Sequence, residues 1–150
     1  MSAVMDRPTT NRISVRDSGF ALAIEHGAWW NLRSDSMAPA LRAGDRVRIA
    51  SPGEQPRVGA VYAYKQKISG RPTGQVLVHR YIGHDRLAGD ACRYADARYS
   101  EAEILGRVVE AQRNCETLLI DKSRWAVLWM NLRRKLWWRG TPPPATAQQA

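Results

Sequence analysis

Apolar positions fall into short runs separated by glycine, proline and polar clusters, the punctuation of a β protein rather than of a helical bundle. Val47 and Ile49 alternate with Arg46 and Arg48, the period-2 pattern of a half-buried strand. Val61–Tyr64, Val76–Ile82, Ile104–Val109 and Thr117–Ile120 predict further short strands, and Trp29–Arg33 one that runs into Ser34. The stretch from Gly70 to Gly74 reads as a loop, and Met37–Ala43 as a turn or one helical turn with Gly44 as its exit. Ser14–His26, with its apolar run Phe20–Ile24, predicts a short helix closed by Gly27. Five or six strands with one or two helices predict an α+β, mainly antiparallel β domain, with no internal repeat.

A second pattern begins after residue 121. Ser123 can cap a helix, Gly140 can end it, and Pro142–Pro144 forbid its continuation. Between them Trp125, Leu128, Trp129, Leu132 and Leu136 recur at helical spacing, with Arg133, Arg134 and Lys135 interleaved near the C-terminal end, where cations suit the helix dipole. The division expected is a polar, flexible 1–12, a β domain over 13–121, a basic Trp-rich helix over 122–140 and a disordered 141–150.

Length and composition limit what this pattern can be. A chain of 150 residues is the size of one domain. It is 44% hydrophobic and 25% charged, with a mean hydropathy of −0.46. No run reaches the roughly 18 apolar residues of a membrane span, and the charged N-terminal stretch lacks the apolar segment of a secretory leader. Cys92 and Cys115 form no CxxC and no metal-ligand spacing with the three histidines, so neither a zinc module nor a disulfide scaffold is expected, and no cofactor. The net charge of +9 is unevenly placed: six basic and no acidic residues follow Asp121. Such a segment suits a phosphate-bearing surface or a partner. The basic residues form no stripe beyond this helix, and the 33 residues before Ser34 lack a helix-turn-helix pattern, so a nucleic-acid partner is not expected.

One segment carries chemistry. Ser34-Asp35-Ser36-Met37-Ala38-Pro39-Ala40-Leu41-Arg42-Ala43-Gly44-Asp45 resembles the S-x-S-M-x-P-x-L-x-x-G-D box of the type I signal peptidase superfamily, which includes the self-cleaving SOS and phage repressors. The resemblance continues in order. Gly59–Tyr64 is similar to the family's G-D-V-V-x-F strand, with Ala60 in place of the aspartate. Val78-His79-Arg80-Tyr81-Ile82-Gly83 is similar to the strand that bears the base. Gly89-Asp90, Asp96 and Ile104–Val109 are similar to its G-D-x(5)-D and closing I-x-G-x-V segments. Together these cover about Trp29 to Ala111.

Where most bacterial members carry a lysine, this chain has His79, as in the archaeal and endoplasmic-reticulum branch. A lysine must be buried to lose its proton near neutral pH, whereas an imidazole, with an ordinary pKa of about 6.5, is already poised. The resemblance implies Ser36 as nucleophile, His79 as general base and acid, and Asp96 as the carboxylate behind the imidazole. It leaves Asp90 as the alternative for that last role or as a structural partner in the same loop. It further implies an oxyanion site made by the Ser34 hydroxyl and the Ser36 N–H, with Met37 and Pro39 shaping the turn and lining the substrate cleft. Asp35 stands where the family carries a small or neutral residue, and its carboxylate must face away from any oxyanion.

The function implied is a serine endopeptidase acting on an extended peptide, leader- or signal-like, with a small residue before the cut. The alternative is a degenerate relative that binds a peptide or protein in the same groove. The helix over 122–140, through Trp125, Trp129, Arg133, Arg134 and Lys135, is expected either to dock on the core or a partner, burying the tryptophans, or to lie on an anionic membrane surface. The expected location is cytoplasmic, with the inner membrane surface as a peripheral site.

Overall fold

The computed structural model describes residues 23–25 and 27–138. Residues 23–25 are helical, the described part of a short helix near the N-terminus; the rest of that element, Gly140 and the proline run lie outside the described residues. Eight strands follow: β1 (Trp29–Asn31), β2 (Arg46–Ala50), β3 (Val61–Ile68), β4 (Arg71–Gly83), β5 (Arg86–Ala88), β6 (Ala97–Arg98), β7 (Glu103–Arg113) and β8 (Glu116–Thr117). A C-terminal helix, α1, spans Arg124–Trp138. The strands form one antiparallel sheet in the order β1-β2-β7-β3-β4-β5-β6, with β8 paired to β7. The mainly β, α+β class is the one the patterning predicts.

β3 begins at the middle of the molecule. Val61, Tyr62, Ala63 and Tyr64 are all buried, so both faces of the strand are covered and no polar alternation is visible in the sequence. Val61 and Ala63 join Met37, Leu41, Val47, Ile49, Val108, Ala111 and Ile120 in one core. Tyr62 and Tyr64 join Ala60, Tyr81 and Leu87 in a second, smaller one on the opposite face. There Tyr62, Tyr81 and Tyr99 meet edge to face, with centroids 5.2–6.5 Å apart.

Strand ends differ from the sequence expectation where the sheet outruns its core. The stretch from Gly70 to Gly74 is not a loop: β4 starts at Arg71, and Ser69–Gly70 alone turn β3 into β4. The outer ends of this hairpin are exposed, so no hydrophobic alternation marks them. Three connections are two-residue turns with positive φ at both positions: Ser69–Gly70, His84–Asp85 and Asn114–Cys115. That geometry matches the right-handed twist of the strands it joins. Thr117–Ile120 is a strand only at its start, in β8.

Two joints tie the periphery to the sheet. Gly59 has φ +93°, and a Cβ there would sit 1.8 Å from the Lys122 carbonyl oxygen, so only glycine allows residue 122 to approach β3. Lys122 N–H donates to the Gly59 carbonyl and Gly59 N–H to the Tyr81 carbonyl, which fixes the start of α1 against β4. Ser123 caps that helix as its sequence predicts, accepting the Ala126 N–H at 3.2 Å.

Candidate active site

The Ser34–Asp45 segment is held by its own side chains. Met37 and Leu41 are buried in the larger core, and Leu41 N–H donates to the Met37 carbonyl, closing one helical turn. Met37, expected to line a cleft, instead supports the turn from beneath with 2% of its surface exposed, because its unbranched thioether is drawn into the apolar core. Pro39 is exposed and does line a cleft. Asp35 turns its carboxylate toward the exit of the turn to accept the Ala43 N–H at 2.9 Å. Asp45 accepts the Arg42 N–H and a two-pronged ion pair from Arg113, at 2.8 and 2.7 Å. The guanidinium hydrogen bond holds the Asp45 carboxyl below the ordinary carboxylate range, against the opposing effect of its burial.

Ser36 is thereby presented toward β4. Its Oγ lies 3.2 Å from Nε2 of His79, a residue 4% exposed near the middle of that strand. Nδ1 of His79 lies 2.7 Å from Oδ2 of Asp96, in the segment between β5 and β6. Asp96 is itself placed by its N–H to the Leu87 carbonyl and by Gln66, which donates to its carbonyl oxygen. Ser34 Oγ is 3.3 Å from Ser36 Oγ, on the exposed side of the turn. The three elements thus set a hydroxyl, an imidazole and a carboxylate in one unbroken line, an arrangement that can remove a proton from the hydroxyl and stabilise the imidazolium formed.

Asp90 is not part of that line. Both its oxygens are taken by Arg80, at 2.8 and 2.7 Å, and its side chain is 2% exposed. Arg80 is fully buried and donates from Nη1 to the Gly59 and Ile120 carbonyls. The adjacent pair His79–Arg80 therefore points to opposite faces of β4, as strand alternation requires, and each takes its own aspartate. Asp90 is a structural partner, and its alternative placement behind the imidazole is not what the fold provides.

Four residues at the site were given no role there by the sequence. Tyr64, fully buried on β3, brings its hydroxyl 2.9 Å from His79 Nδ1. Burial, with Asp96 and Cys92 nearby, pushes this phenol well above its ordinary range, so it keeps its proton. Gly89 packs under the site: a Cβ there would lie 2.5 Å from the Ser36 carbonyl oxygen, 2.7 Å from Cys92 Sγ and 3.2 Å from His79 Nε2. Ala91 N–H donates to the Ser36 carbonyl, strapping the Ser36 turn to this loop. Cys92 lies beside it, with burial and the Asp96 charge raising its thiol pKa. Gly89 and Tyr64 fall inside motif segments, but what each of the four does at the site depends on strand register or loop path and has no sequence signal.

Cys92 also bears on metal chemistry. Spacing along the chain offers no ligand set, yet the fold brings donor atoms of His79, Cys92 and Asp96 within 4.8 Å of one another. His79 Nδ1 and Asp96 Oδ2, at 2.7 Å, stand closer than the roughly 3.3 Å that separates two ligands of one tetrahedral zinc. The pair is hydrogen-bonded in the manner of a base and its orienting acid.

α1 packs against the same loop. Arg134 donates to the Gly89 and Cys92 carbonyls and to Asn131 Oδ1, and Asn131 donates to the Ile82 carbonyl. With buried Val127, these residues form the inner face. The tryptophans are not buried by this docking: Trp125 is 76% and Trp129 67% exposed, in line with exposed Leu128, Leu132 and Leu136. Arg133 and Lys135 are exposed, whereas Arg134 is an internal strut. The helix docks through Val127 and through Asn131 and Arg134, whose side chains donate to the Ile82, Gly89 and Cys92 carbonyls as an apolar face could not. No helix among the described residues is long and apolar enough to cross a membrane.

Comparisons of the chain with protein-family models, with curated proteins and with solved structures find no match in any of the three.

Proposed function

We propose that this chain is a serine endopeptidase. One observation carries the reading: Ser36 Oγ, His79 and Asp96, from three separate segments, stand in hydrogen-bonded sequence at 3.2 and 2.7 Å. A serine is a poor nucleophile alone, and a buried imidazole backed by a carboxylate is what activates it. Ser36 Oγ attacks the scissile carbonyl while His79 Nε2 takes its proton. The tetrahedral oxyanion lies against the Ser36 N–H and the Ser34 hydroxyl. His79 then protonates the leaving amine, and water, activated by the same imidazole, hydrolyses the acyl-enzyme. Asp96 holds the ring with Nε2 toward Ser36 throughout.

The diversion of Asp35 to the Ala43 amide supports this reading, since it removes the one carboxylate adjoining the oxyanion position. β1 is one of the two end strands of the sheet among the described residues and leads into the Ser34–Ser36 turn, so an extended peptide adding to that edge would pass the nucleophile. By the resemblance of the Ser34–Asp45 box, the substrate is leader- or signal-like, with a small residue before the cut.

A serine-directed fluorophosphonate probe tests the proposal. The wild-type chain should be labelled, and Ser36→Ala and His79→Ala should each abolish labelling while keeping their circular dichroism. A folded wild-type chain that stays unlabelled from mildly acidic to mildly alkaline pH overturns the enzyme reading and leaves a peptide-binding module.

A further inference from the structure

We propose that the cleft between the nucleophile turn and α1 is a binding site for an acidic stretch of peptide. The inference rests on the peptidase reading only in taking that stretch to belong to the substrate. The cleft has a volume of about 620 Å³, within the range of sites that enclose most of a small ligand, and so takes only a few residues of a peptide. Pro39 bounds it on the nucleophile side, three positions from Ser36. The 90–93 loop forms its floor, and α1 supplies the far wall through Met130, Arg133, Arg134 and Leu136.

Its charge is one-sided. Lys122, Arg93, Arg133 and Arg134 line it against a single carboxylate, Asp90. That carboxylate is already spent, with both oxygens on Arg80 and 2% of the side chain exposed. The Arg134 guanidinium hydrogen-bonds to three neutral oxygens, those of Gly89, Cys92 and Asn131. It is half-buried, and burial lowers its pKa despite the nearby Asp90 and Asp96 carboxylates, so its charge gains from an incoming anion. Beside these cations stand the apolar Pro39, Met130 and Leu136, which match aliphatic side chains between acidic ones. The site is concave and opens beside the nucleophile turn, which suits a strand of peptide better than a flat bilayer. Because Arg134 also holds the Gly89–Cys92 loop, whose Ala91 N–H donates to the Ser36 carbonyl, a bound acidic segment would press on the loop that braces the nucleophile turn.

The test uses the full chain with Ser36→Ala, so that bound peptide is not consumed. Two fluorescein-labelled dodecapeptides of alanine, leucine and a charged residue are compared by anisotropy, one with glutamate and one with lysine. The glutamate peptide should bind at least about tenfold more tightly at low salt, the size of one or two charge-assisted contacts, and lose that margin as salt rises. Arg133→Glu and Lys122→Glu, added singly and checked for unchanged circular dichroism, should each erase most of the preference. Equal binding of the two peptides, or a preference that survives both reversals, overturns the proposal. So does a result in which the reversals spare the peptide but abolish sedimentation with phosphatidylglycerol vesicles, which assigns these cations to lipid. Fluorophosphonate labelling of wild type separates the two readings. A labelled chain without charge preference refutes the cleft alone, and an unlabelled chain that selects the glutamate peptide refutes the peptidase alone.

Discussion

Tyr64 and Asp96 converge on one nitrogen of His79, the phenol oxygen at 2.9 Å and the carboxylate oxygen at 2.7 Å from Nδ1. Nδ1 cannot donate to Asp96 and accept from Tyr64 at once. With Asp96 ionised, the shorter, charge-assisted bond takes the proton, and Nε2 is left bare to receive the Ser36 hydrogen. Removing the carboxylate reverses the balance: the Tyr64 hydroxyl donates to Nδ1, and Nε2 keeps a hydrogen that blocks catalysis. Asp96→Asn should therefore cost about a thousand- to ten-thousand-fold in labelling rate, and Tyr64→Phe less than about tenfold. Adding Tyr64→Phe to Asp96→Asn should recover part of the loss. Additive losses in a double-mutant cycle would show that Tyr64 has no part in setting the tautomer.

The same phenol predicts an alkaline limit. Its pKa is raised in the folded chain, so the folded state holds the proton more tightly than the unfolded one. The corresponding stability is present below the ordinary tyrosine pKa of about 10 and is lost as pH climbs above it. Urea midpoints should fall above about pH 10, and Tyr64→Phe should flatten that slope. An unchanged slope would assign the alkaline loss to other groups.

Asp90 and Asp96 should separate by readout. Removing Asp90 leaves the fully buried Arg80 cation without its partner, at a cost of about 3–5 kcal/mol, or roughly 10 °C in Tm. Asp90→Asn should thus lower Tm while the folded fraction still labels within about tenfold of wild type. Asp96, with a third of its side chain exposed, should do the opposite: a small change in Tm and loss of labelling. Equal loss of labelling in both variants would return Asp90 to a direct part in the chemistry.

This division shows how far the chain could be read without coordinates. The order of Ser36, His79 and Asp96 was legible because the spacing of several boxes agreed at once, and the β character because Val47, Ile49 and Val61–Tyr64 bury in simple patterns. The partner of Arg80 was not legible, since it follows from which face of β4 each residue takes. The extent of β3 and β4 beyond Lys65 and before Val76 was hidden for a physical reason. That hairpin arm runs out past the core, where Lys67 pairs with Pro72 and no apolar periodicity is required. Tyr64 was legible only as part of a strand; that it is core, and that it touches His79, 15 residues away, comes from cross-strand packing.

Gly89 offers a test of how closely the loop and the nucleophile turn are fitted. The Cβ of an alanine would meet the Ser36 carbonyl oxygen at 2.5 Å, a backbone atom that cannot swing aside, and His79 Nε2 at 3.2 Å. Gly89→Ala should therefore displace Ser36 from His79 and lower the labelling rate by at least about a hundredfold, with Tm falling by only a few degrees. Wild-type labelling in that variant would mean that the loop yields and the spacing is not critical.

The outer face of α1 gives the last expectation. Trp125, Leu128, Trp129 and Leu132 form an exposed apolar stripe, and Arg124 and Lys135 beside it are exposed cations. The inner face is already held by Val127, Asn131 and Arg134, so the stripe is free to enter an interface without disturbing the fold. If this face meets an anionic membrane, the indole rings would sit at the headgroup level and the cations on the lipid phosphates. The wild-type chain should co-sediment with phosphatidylglycerol vesicles and much less with phosphatidylcholine. Trp125→Ala with Trp129→Ala should release it while leaving Tm within about 2 °C, since neither ring packs on the core. A large drop in Tm would place the rings in an internal contact. Absence of vesicle binding by the wild-type chain would assign the stripe to a protein partner.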